Sequence, residues 1–85
     1  FESLQIGQSK GDVAMLLGRP AAVIGTVSLN NKVIEVVGYE QWKAIPGWID
    51  QKEQEYWLYF VDGVLKQWSK PVENWEPVAM GLARD

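Results

Sequence analysis

The 85 residues read as one α+β domain, with short N-terminal helical elements packed on one face of an antiparallel sheet of three strands, or four. Three observations lead there. Asp62-Gly63 stands between two aromatic, strand-forming runs at 56–61 and 64–68, the strongest short-range signal for a hairpin. A β-branched run at 33–42 precedes it. Before that comes an apolar stretch with a helix cap, at 9–17.

Residues 1–8 form an extended lead-in. Over 9–17, Ser9 can accept from the free amides of a first helical turn, and Asp12 occupies the capping-box position with its charge at the favourable end of the dipole. Val13, Leu16 and Leu17 fall on one face, flanked by Ala14 and Met15. Gly18 suits the left-handed residue after a helix, and Pro20 prevents continuation. Strands are expected within 21–42. The apolar 21–27 is a strand or an extended connection, Asn30-Asn31 a turn, and 33–42 a strand in which Gly38 marks a bulge or a close backbone approach. Pro46-Gly47 makes 44–53 a loop, with Trp48 and Ile49 pinned at the core edge or standing free as a wedge. The hairpin occupies 55–69. Pro71 ends it, and 72–85 is a tail carrying Trp75, Pro77 and Met80, with a helical turn near its end.

Taken as a two-residue reversal, Asp62-Gly63 sets Val61 against Val64, Phe60 against Leu65, Tyr59 against Lys66, Leu58 against Gln67 and Trp57 against Trp68. Leu58, Phe60 and Leu65 then share the face that suits the Val13/Leu16/Leu17 stripe. Trp57, Tyr59 and Trp68 share the other, with Tyr39 and Trp42 alongside if their strand is adjacent. A small helix covers one face only. The aromatic face is therefore either a protein-docking surface or is covered by Trp75, the loop around Trp48, or the tail.

Composition narrows the chemistry. Hydrophobic residues make up 47% and charged residues 22%, with five Trp, so the chain has enough apolar area to fold. The net charge is −3 and the cationic residues are scattered, which disfavours nucleic acid. With no Cys and no His, there is no thiolate, no imidazole base and no common transition-metal ligand. The carboxylates have local uses: Asp12 at the helix start, Asp62 in the turn, Glu53 and Glu55 at a solvated strand edge. No phosphate loop, dinucleotide motif or calcium loop is present. We expect no catalytic residues, no cofactor and no metal. No apolar run reaches the length of a membrane span. The opening Phe1 suggests a trimmed or mature fragment.

Two segments resemble the SmpA/OmlA (BamE-like) family of small bacterial envelope lipoproteins. The run 6–20, IGQSKGDVAMLLGRP, is similar to that family's Gly, capped helix with a Val, and Leu-Gly-x-Pro. The run 56–65, YWLYFVDGVL, followed by Trp68, resembles its closing aromatic hairpin, and 35–39, EVVGY, the strand before it, with Gly38 where an aromatic often stands. The resemblance implies helical elements on a three-stranded antiparallel sheet and an extracytoplasmic, periplasmic or outer-membrane-associated location. It also implies binding of other envelope proteins in outer-membrane assembly or maintenance. Membrane attachment would come through an acylated Cys upstream of Phe1.

The expected function is a non-enzymatic protein-interaction domain using Trp57, Tyr59, Trp68, Tyr39 and Trp42. Two alternatives stand beside it: a homodimer with its own aromatic face as interface, exchanged or not, and an inhibitor of an extracellular enzyme acting through 44–53.

Overall fold

Two reversals set the sheet. Asn30 and Asn31 have φ of 54° and 63°, and Asp62 and Gly63 have φ of 50° and 81°. Positive φ at both central residues matches the twist of a two-residue hairpin, and Asn, Asp and Gly reach it most easily. In the computed structural model, which describes residues 4–43 and 51–84 with the side chains of 41–43 and 51–53 outside that description, these turns join four strands. They are β1 (Ala22–Leu29), β2 (Lys32–Lys43), β3 (Gln51–Val61) and β4 (Val64–Ser69), antiparallel in the order β1-β2-β3-β4. Strand β3 begins at Gln51, inside the stretch expected as loop; Pro46-Gly47, Trp48 and Ile49 lie outside the described residues.

Helix α1 (Lys10–Leu17) starts as its sequence implies, with the Ser9 hydroxyl accepting from the Asp12 amide at 3.1 Å. Val13 and Leu17 turn inward, onto a buried layer of Val37, Tyr39, Leu58, Phe60 and Leu65 that Leu4 completes. Leu16, expected on that inner face, is instead 49% exposed, because an eight-residue helix presents little more than one i, i+4 row to a sheet.

The tail holds more than a turn. It forms α2 (Glu76–Arg84), which begins where the Trp75 carbonyl accepts from the Ala79 amide at 3.0 Å. Pro77 falls in the first turn, where its missing N–H costs nothing. Ala79 and Ala83 sit fully buried against Ile34, Val36 and Tyr59 on the second face of the sheet. Small residues let the helix approach closely. Trp75 seats on β1 at Gly25, where a Cβ would lie 2.3 Å from the indole Cζ2. Helix α1 thus packs on one face and α2 on the other, and the first face stays exposed along β1 and the start of β2, at Val23, Thr26, Ser28 and Val33.

One expectation about the hairpin fails. Val61 pairs with Val64 and Phe60 with Leu65, but Tyr59 then faces Gln67 and Leu58 faces Trp68. Lys66 is the extra residue of a β-bulge. The unshifted register would have put the Lys66 ammonium against Tyr59, beneath α2, where an unpaired charge is costly. The bulge leaves Lys66 exposed and turns Trp68 to the α1 face.

Candidate functional site

The five aromatic candidates do not form one surface. Trp57 lies on the second face, half-buried, its ring 3.5 Å from where a Gly38 Cβ would stand and its indole N–H donating to Glu55 Oε1 at 3.4 Å. Tyr59 is beside it and 0% exposed, under α2. Trp68 packs on the opposite side of the sheet, against the α1 layer. Tyr39 also belongs to that layer, is 6% exposed, and donates its phenol to the Gly18 carbonyl at 3.0 Å. Trp42 has its side chain outside the described residues. The paired-indole docking face is therefore corrected: Trp57 and Trp68 point to opposite faces, and the two tyrosines are core.

Burial raises the phenol of Tyr39 above its ordinary value. It does the same for Tyr59, with the Ser69 hydroxyl pulling the other way; that hydroxyl donates to the Lys70 carbonyl at 3.0 Å, and the buried Tyr59 oxygen makes no hydrogen bond among the described residues. Neither group is exposed enough to serve as an acid or base.

Large apolar side chains are exposed elsewhere, at Val23 and Val33 on β1 and β2, at Val72 before α2, and around α1. Ile6, Met15 and Leu16 stand on the outer side of α1 and its lead-in, with Met15 87% exposed. Met15 and Leu16 line a shallow depression with Gln8 and Asp12. The helix thus carries apolar residues on its outer side as well as its inner one. Sequence reasoning placed Met15 as a flank and assigned Leu16 to the core. The signal was present in the composition of the helix, KGDVAMLL, which is too apolar for one buried stripe. Lys10, at the start of α1, forms an ion pair with Glu35 of β2 and so ties the helix to the sheet.

The two outer strands are treated differently. A two-residue turn makes Val61 and Val64 a hydrogen-bonded pair, so Leu65, next along, directs its N–H and C=O away from β3. The lead-in takes both: Gly7 N–H donates to the Leu65 carbonyl and Leu65 N–H to the Gln8 carbonyl, each at 2.8 Å. Lys10 N–H adds a bond to Gly63 at 2.8 Å. By the same geometry at Asn30-Asn31, Thr26 and Ser28 of β1 point their backbone groups outward, and there they meet no partner among the described residues.

Among the described residues no three Asp or Glu gather as a metal site, and no described helix is long and apolar enough to cross a membrane. Comparison with protein families, with characterised proteins and with solved structures finds no match to this chain.

Proposed function

We propose that this chain is a non-enzymatic protein-interaction domain of the bacterial cell envelope, acting in outer-membrane assembly or maintenance and docking a protein partner through the outer side of α1. One observation carries the docking site: Met15 and Leu16 present apolar surface to solvent from a helix whose inner residues, Val13 and Leu17, already pack on the sheet, and Ile6 is exposed in the lead-in before it. The contact is apolar at its centre, with Gln8 and Asp12 at its rim, the arrangement of an ordinary protein interface. The envelope assignment rests on the resemblance of 6–20, 35–39 and 56–68 to the SmpA/OmlA family. The absence of Cys and His supports a binding role over a catalytic one. Attachment to a membrane would come from a lipid anchor upstream of Phe1.

A photo-crosslinking residue at position 15, in bacterial cells expressing the domain in the envelope, tests this reading. It should give a discrete adduct with an envelope protein. The same probe at position 84, on α2 and the opposite face, should not, and Leu16→Glu should abolish the adduct while leaving the circular dichroism spectrum unchanged. Equal labelling from both positions, or none from position 15, overturns it.

A further inference from the structure

From the outer edge of β1 we infer that this chain pairs with a second copy of itself, edge to edge, in an antiparallel β1–β1 contact that extends the two four-stranded sheets into one. The inference is independent of the α1 docking surface.

Three features of β1 lead to it. First, the edge is open among the described residues. Thr26 and Ser28 direct their backbone groups outward with no partner among the described residues, whereas the equivalent groups of β4 are taken by the lead-in. Second, the edge lacks the usual protection. From 21 to 31 the sequence AAVIGTVSLNN holds no charge and no proline, in a chain with eleven acidic residues and a net charge of −3. Natural edges are normally blunted by Lys, Pro or a bulge; here the one irregularity falls between Val23 and Gly25 and leaves 25–29 regular.

Third, the edge is complementary to itself. A two-fold axis through Val27 sets Thr26 opposite Ser28 of the second copy, and Ser28 opposite its Thr26. Both are residues with outward backbone groups, so each pair exchanges both N–H···O bonds. On the exposed first face this brings hydroxyl against hydroxyl, a favourable cross-strand pair. On the α2 face it brings Val27 against Val27. The paired strand residues carry no charge, and the contact closes as an isologous dimer rather than a fibre. A foreign strand could take the same hydrogen bonds, but only a second copy supplies this matched set of side chains by symmetry.

Sedimentation analysis of the full chain over about 1 μM to about 1 mM, where small interfaces associate, decides the matter. The mass should double with concentration. Ser28→Pro removes an outward donor without touching the β1–β2 ladder and should hold the chain monomeric. Thr26→Glu with Ser28→Glu sets carboxylates against each other across the axis and should do the same. Thr26→Lys with Ser28→Glu places opposite charges in those positions and should restore the doubling. Should Ser28→Pro fail to fold by circular dichroism, the two charge variants decide alone, since both side chains are exposed in the single chain. A wild-type chain that stays monomeric overturns the inference. So does a double-glutamate variant that still dimerises, or a Lys/Glu variant no more associated than the double glutamate. Crosslinking from position 15 should be unchanged in all of these.

Discussion

Tyr39 and Tyr59 are both core tyrosines, and they should respond to the same substitution in opposite ways. Tyr39 spends its hydroxyl on the Gly18 carbonyl, which fastens the end of α1 to β2. Tyr39→Phe should cost about 1 kcal/mol, the usual net worth of such a bond. The Tyr59 oxygen is buried with no hydrogen bond among the described residues. Tyr59→Phe should be neutral or stabilising by up to about 1 kcal/mol, because it removes a desolvated hydroxyl that is not repaid. Urea titrations of the two variants check the pair. Alkaline pH gives a second reading. Burial raises both phenols, so the folded state keeps protons that the unfolded chain releases above about pH 10. Their contribution is complete below that pH and is lost as pH climbs through the raised values. The fall in stability above about pH 10 should be shallower in Tyr59→Phe.

The junction of α2 with β1 depends on one missing side chain. Gly25→Val would drive a methyl into the Trp75 indole, and a well-packed aromatic cannot yield that far without leaving its seat. A loss of about 1–3 kcal/mol and a red shift in tryptophan emission are the expected results, read by thermal melts and fluorescence. The elements themselves were mostly legible from the sequence. The Ser9 cap, Asn30-Asn31 and Asp62-Gly63 carry their geometry in residue type, so α1 and both reversals could be placed. Two features could not. Pro77 and Gly81 argue against a helix in isolation, and α2 gains its stability from Ala79 and Ala83 meeting the sheet. The bulge at Lys66 answers to that same helix, which strict alternation cannot register. From this single residue follows the misplacement of Trp68; Tyr59 leaves the aromatic docking face because α2 covers it, and Tyr39 because its pairing with Tyr56 sets it in the α1 layer. The outer side of α1 and the open edge of β1 were in plain sight as an over-apolar helix and an uncharged run, but only the fold shows which side of each is free.

Every strand pairs with its neighbour in sequence, and the two ends lie against the sheet so formed. The lead-in closes along β4, and at the other end Asn30 Nδ2 reaches the Ala83 carbonyl of α2 at 3.5 Å. This implies an order in time. The two hairpins need only short loops to close, whereas both ends must find a sheet already made. Under native conditions the amides of Gly7 and Lys10 should exchange with solvent well before those of Val36 and Leu58, as hydrogen–deuterium exchange by NMR can follow. Uniform rates across these four would mean that the ends and the hairpins open together. On that order the strap over β4 should be the last clasp to shut and the first to loosen, and each brief opening would give the molecule a second edge unpartnered, like that of β1, among the described residues.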